Sequence, residues 1–72
     1  MDDDSDAETL LAIKVEIARL RQEHMDLDAA VLALETLPRP DQLQIARLKK
    51  RKLVLRDQIA KLENRLTPDL IA

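Results

Sequence analysis

Glycine, cysteine and all three aromatic residues are absent from this chain of 72 residues. Without glycine, no residue adopts a positive φ at little cost, which disfavours tight β-hairpins and the glycine-rich loops that bind phosphate. Without cysteine, the chain has neither a disulfide nor a thiolate nucleophile. Without aromatic side chains, it has no platform on which nucleic-acid bases can stack. These absences therefore disfavour β-hairpin folds and phosphate-binding loops, and they exclude disulfide-bonded folds, thiolate catalysis and aromatic stacking on bases.

Long apolar runs are missing as well. No run in the sequence approaches the roughly 20 apolar residues that a membrane-spanning helix needs. The N-terminus is acidic, whereas a signal peptide begins with a basic region. We therefore expect a cytoplasmic protein with no membrane partner.

Charged residues, in contrast, are abundant. They make up 36% of the chain and leave a net charge of −2, and most of the remainder is alanine, leucine and isoleucine. This composition is typical of coiled coils and long helices, and the length suits one small domain. The sequence therefore predicts an all-α fold.

Two of the three prolines, Pro38 and Pro40, interrupt the helical pattern near the middle of the chain. Proline lacks an N–H group and restricts the residue before it, so neither can continue a helix. We therefore predict an antiparallel two-helix hairpin, coiled-coil-like, with helices of about 6–36 and 41–67 joined by a turn at 37–41. An acidic, disordered tail is predicted before the hairpin (1–5), and a short tail after it.

Helix-capping signals flank this turn. Asp41 followed by Gln44 fits a capping box at the start of the second helix, and Arg39 as cap with Pro40 at the first helical position is the alternative. At the other end of the chain, Ser5 with Glu8 fits a capping box for the first helix.

Apolar residues recur in steps of three and four through both helices, which is the spacing of a heptad seam formed by a and d positions. Each seam has one polar position, His24 in the first helix and Lys52 in the second. The apolar members are Leu10, Ile13, Ile17, Leu20, Leu27, Val31 and Leu34, then Ile45, Leu48, Leu55, Ile59, Leu62 and Leu66.

One antiparallel register satisfies both seams. It gives every layer at least one apolar side chain and places His24 and Lys52 in adjacent layers, as a polar core layer. It also brings five pairs of opposite charge together along the flanks. These pairs are Glu35 with Lys49, Asp28 with Arg56, Arg21 with Glu63, Glu16 with Arg65, and Glu23 with Arg51.

His24 is the only imidazole in the chain. With Asp28 one turn further on, it could supply two metal ligands or a carboxylate-oriented base. A metal site needs a third ligand, and there is no second histidine or any cysteine. We therefore expect no catalytic residue, no metal, no cofactor and no enzymatic activity, and interpret His24 as a core residue that fixes the register.

The second helix carries a basic cluster, which consists of Arg47, Lys49, Lys50, Arg51 and Arg56. Such a cluster could bind a phosphate backbone. Because acids face Lys49, Arg51 and Arg56 in the predicted register, we favour an ion-paired, solvated helix face. A small nucleic-acid-associated protein remains the alternative function.

A second apolar stripe lies beside the seam, at the b positions of the heptads. Its large members, which form the candidate interface, are Leu11, Met25, Leu32 and Leu53. Regular spacing of exposed apolar residues indicates a protein interface. We therefore predict a homo-oligomer, dimer or tetramer, in which hairpins associate into a four-helix bundle, and a non-enzymatic self-association or protein-interaction module. A different protein partner stays open.

Several short motifs resemble a known family. They are Glu23-His24, Leu27-Asp28, Leu48-Lys49-Lys50-Arg51-Lys52-Leu53, Arg56-Asp57-Gln58-Ile59 and the ending Pro68-Asp69-Leu70-Ile71-Ala72. These motifs are similar to those of the YdcH-like proteins, very small bacterial proteins grouped as a domain of unknown function. The resemblance implies a helical hairpin in the bacterial cytoplasm and supplies no activity. Arg56 stands where the resemblance leads us to expect lysine.

Overall fold

The protein is a hairpin of two α-helices, seen in a computed structural model that describes residues 7–66. Helix α1 spans Ala7–Glu35 and α2 spans Gln42–Leu66, and the described part of the chain contains no strand. The predicted all-α hairpin is confirmed. The acidic tail, the capping box at Ser5 and the C-terminal tail lie outside the described residues. Over the same range, neither helix combines the length and apolarity that crossing a bilayer requires.

The turn between the helices is closed by local hydrogen bonds. At the end of α1, the Thr36 amide donates to the carbonyl of Leu32 at 3.2 Å, and the Thr36 hydroxyl donates to that of Ala33 at 2.8 Å. At the start of α2, the Gln44 amide donates to Asp41 Oδ1 at 3.0 Å. Asp41 is therefore the N-cap of α2, and the alternative with Arg39 as cap is wrong. No described residue has a positive φ, as expected for a turn made without glycine.

The core is a single apolar seam between the helices. Its buried side chains are Ile13, Ile17, Leu20, Val31, Ile45 and Leu55, of which Leu55 is fully buried. All of them belong to the predicted seams, and the other seam residues are half-buried. Burying one such side chain contributes roughly 1.5–3 kcal/mol, so this seam holds the helices together. His24 and Lys52 are half-buried near its middle.

Candidate protein interface

The charged flanks fix how the two helices sit against each other. Lys49 Nζ lies 3.2 Å from Glu35 Oε2 close to the turn, and Arg51 Nη2 lies 3.1 Å from Glu23 Oε2 on the other flank. Arg21 pairs with Glu63 further from the turn. These three predicted pairs form together only in the predicted antiparallel register.

The other two predicted pairs are wrong. Asp28 binds the ammonium group of Lys52 instead of the Arg56 guanidinium. The reason is that the lysine stem can lie along the seam while its ammonium group reaches the surface, since a charge left in an apolar layer is costly. Glu16 binds Arg19 on its own helix, with Nη2 and Oε2 separated by 2.5 Å, and not Arg65.

The Lys52–Asp28 contact changes the acidity of the carboxyl group. A hydrogen bond from Lys52 lowers the pKa of Asp28, burial opposes this effect, and the electrostatic interactions with Lys52 and His24 lower the pKa further. Lys52 keeps a quarter of its side chain exposed, at 25%, so this polar core layer opens towards one side of the hairpin.

That side of the hairpin carries an open groove. Helix α1 is rotated so that its g positions, represented by Glu23 and Ala30, are half-buried against α2, whereas its e positions, represented by Arg21 and Asp28, stay exposed. The rotation narrows one flank and widens the other. The wider flank encloses about 840 Å³ beside the polar core layer. An adjoining hollow nearer the turn encloses about 600 Å³.

The groove combines an apolar lining with a charged rim. Its apolar lining is formed by Met25, Leu53, Ile59 and Ala60. Its charged lining consists of Arg21, Asp28, Lys49, Lys52, Arg56 and Glu63, with His24 between them. The adjoining hollow shares Met25 and adds Leu32. Open apolar surface with ion pairs around it is suited to holding another helix.

Two of the four candidate interface residues, Met25 and Leu53, therefore line the groove, and Leu32 lines the adjoining hollow. The exposed fractions of Met25, Leu32 and Leu53 are 62%, 64% and 64%. Leu11 is equally exposed, at 62%, and lies two heptads before Met25 on the same stripe of α1. The sequence identified the stripe, but it carried no signal for the groove.

The basic cluster divides into two groups. Lys49 and Arg51 are engaged in ion pairs with α1. Arg47, Lys50 and Arg56 have no acidic partner within residues 7–66. Of these three, Arg56 lines the groove. Among the described residues, the groove therefore has one cation, Arg56, without an acidic partner.

Metal-ligating side chains do not converge in this part of the molecule. Across residues 7–66, no three side chains of histidine, cysteine, aspartate or glutamate come close enough to hold a metal ion together. His24 and Asp28 both line the groove, and the ammonium group of Lys52 binds Asp28.

Comparison with known proteins gives one match. The sequence model of a family described as protein of unknown function (DUF465) matches residues 17–63. This range contains the turn, most of the seam and the groove. No curated protein and no solved structure matches the chain.

Proposed function

Since the chain belongs to the DUF465 family, which includes the YdcH-like small proteins and whose description states no activity, we propose a function from the geometry alone. The hairpin is a non-enzymatic self-association module. Its groove face binds the same face of a second copy, and the two hairpins form a four-helix bundle.

The observation that carries this proposal is the exposure of large apolar side chains around one groove. Met25, Leu32 and Leu53 each expose more than 60% of their surface and border the same concave flank. Burial of apolar surface stabilises by about 25 cal/mol per Å². A second copy covers these side chains without requiring further residues to become ordered. Association therefore increases the buried apolar area of a hairpin whose own core is only a single seam.

The charged rim limits how closely two copies can meet. The ion pairs of Arg21 with Glu63 and of Lys49 with Glu35 lie between the seam and the apolar stripe. Removing them fully from water costs more than their mutual attraction returns. We therefore expect the hairpins to meet along their shoulders, through Leu11, Met25, Leu32 and Leu53, while the ion pairs stay partly hydrated.

A double substitution tests the proposal. Met25→Glu combined with Leu53→Glu places two carboxylates on the groove face and should give a monomer with lower helicity and a lower melting temperature. The matched control is Val15→Glu combined with Leu43→Glu, because these side chains are 60% and 62% exposed and do not line the groove. Sedimentation velocity measures association, and circular dichroism measures helicity and melting.

The control variant shows whether a loss of association comes from the groove face or from added negative charge alone. If both double variants lose association to the same extent, added negative charge is the cause and the groove is not the interface. If the groove variant associates as the unmodified chain does, the proposal is wrong.

A second candidate function is nucleic-acid binding. It is favoured by one observation, that Arg47, Lys50 and Arg56 have no acidic partner within the described residues. Phosphate contacts by lysine and arginine supply most non-specific affinity for nucleic acid. Three cations on a chain of net charge −2 without aromatic side chains make a weak site.

A further inference from the structure

We infer that the two hairpins associate with their turns at the same end, so that α1 of each copy lies against α2 of the other and Arg56 of each pairs with Asp28 of the other. This inference rests on the proposed self-association and specifies its geometry. It follows from the order of charges along the groove face and from Arg56, the groove cation that lacks an acidic partner among residues 7–66.

Charges along the groove face are ordered by sign. On α1, the e positions are basic at first and acidic later, in the order Lys14, Arg21, Asp28 and Glu35. On α2, read from the turn outwards, they are Lys49, Arg56 and Glu63. The two intrachain pairs at the ends of this ladder, Glu35 with Lys49 and Arg21 with Glu63, establish which residues of the two helices are level with each other.

With the turns at the same end, the twofold axis runs parallel to the helices. Each α1 residue then faces the α2 residue of the other copy at its own level. At the middle level, Asp28 faces Arg56 of the other copy. At the two ends, Glu35 faces Lys49 and Arg21 faces Glu63 of the other copy, which are the same opposite charges that pair within each hairpin. Leu53 faces Leu32, and Met25 faces Ala60, because these residues are level with each other in the register that the two intrachain pairs establish. Charge and apolar surface are thus complementary at every level of the groove.

With the turns at opposite ends, α1 faces α1 and α2 faces α2. No single axis position then matches both helices. Where Lys49 meets Glu63, Arg56 meets Arg56 and Asp28 meets Asp28 of the other copy. Like charges facing each other across an interface are strongly unfavourable. Moving the axis by half a heptad matches Arg21 with Asp28 and Arg56 with Glu63, but it leaves Lys49 with no described residue at its level. The same-end arrangement alone therefore matches all the e-position charges from Lys49 to Glu63 in one register.

Asp28 has an acceptor available for this contact. Lys52 occupies its Oδ1 atom, and the Asp28 side chain remains 56% exposed. An ionised carboxylate accepts several hydrogen bonds through its two oxygens. The Oδ2 atom can therefore accept from Arg56 of a second copy while Lys52 stays bound, and the surplus cation of each groove is neutralised.

Distances between spin labels test the arrangement directly. The chain has no cysteine, so Arg39→Cys in the exposed turn gives one nitroxide on each copy. Turns at the same end predict a label separation below about 25 Å, little more than two helix diameters. Turns at opposite ends predict about 40 Å, close to the length of α1, which rises about 1.5 Å per residue.

A charge reversal tests the contact itself. In the contact between Arg56 and Asp28 of the second copy, Arg56→Glu replaces the cation with a carboxylate. Two carboxylates then face each other, and association should weaken at least about tenfold. The matched control is Lys50→Glu, which makes the same change of charge on the same helix at a cation that neither lines the groove nor has an acidic partner among residues 7–66. It should alter the dissociation constant by less than about twofold, because exposed charges contribute little.

The outcomes separate the two proposals. A dimer with label separations near 40 Å overturns the same-end arrangement and leaves self-association intact. Equal weakening by Arg56→Glu and Lys50→Glu also overturns it, because the pairing with Asp28 is then absent. A chain that stays monomeric overturns the proposed function, and the arrangement with it.

Discussion

At the scale of the residue, Lys52 determines how the polar core layer behaves. Its position in the heptad predicted a side chain directed into the seam, and its backbone position follows that pattern. Its ammonium group nevertheless reaches Asp28 on the groove flank. Heptad spacing identifies which backbone positions face each other, but the conformation of a long flexible stem depends on where water and a carboxylate are within reach.

The first prediction concerns the acidity of Asp28. Lys52→Met removes the hydrogen bond that chiefly lowers the pKa of Asp28, so this pKa should rise towards its ordinary value. An NMR titration of the carboxyl carbon measures the change. Lys61→Met, which removes only the pair of Lys61 with Asp57 on the outer part of α2, is the control and should leave Asp28 unchanged.

The lowered pKa of Asp28 also affects how stability depends on pH. A carboxyl group whose pKa is lowered on folding contributes stability above its unfolded pKa and loses that contribution as the pH falls through its folded pKa. The acid-induced loss of stability should therefore be smaller in Lys52→Met than in the unmodified chain. Identical titration of Asp28 in both proteins would show that the Lys52 contact is absent in solution.

At the scale of the element, the two helices follow closely from local sequence signals. The predicted ranges 6–36 and 41–67 correspond to Ala7–Glu35 and Gln42–Leu66 within the described residues. The two prolines dictate where the first helix must stop. The N-cap of α2 was left open because both candidates satisfy local rules, and only the hydrogen bond from the Gln44 amide to Asp41 distinguishes them.

The second prediction belongs to this scale and concerns the N-cap of α2. Asp41→Ala removes the acceptor for the Gln44 amide and should lower the free energy of unfolding by about 1 kcal/mol. Asp57→Ala is the control, because its exposed pair with Lys61 is worth only about 0.3–0.5 kcal/mol. Urea denaturation measures both, at one chain concentration because association contributes to stability. Equal losses in the two variants would show that the cap contributes nothing special.

At the scale of the whole molecule, the sequence predicted an exposed apolar stripe but not the groove beside it. The stripe follows from heptad counting alone. The groove depends on the rotation of α1 about its own axis, which half-buries Glu23 and Ala30 and leaves Arg21 and Asp28 exposed. That rotation is set by how the seam side chains pack, and it cannot be read from the identity of any single residue.

Weak interaction with nucleic acid is also a prediction about the whole molecule. At physiological salt we expect little or no binding to duplex DNA or RNA, because only three cations of the basic cluster lack an acidic partner among residues 7–66 and the net charge is negative. Fluorescence anisotropy with a labelled duplex measures it. Binding that persists at about 200 mM salt would contradict the expectation. The basic cluster would be the binding site if the double variant Arg47→Glu, Lys50→Glu abolishes this binding. The control double variant Lys14→Glu, Arg39→Glu should then retain it.

Self-association is the central claim, and the mass of the unmodified chain in solution tests it most directly. One chain has a mass of 8.2 kDa. Sedimentation equilibrium over a range of concentrations should give a mass approaching twice that value, with dissociation only on dilution. A mass of 8.2 kDa that persists at high micromolar concentration would contradict the account.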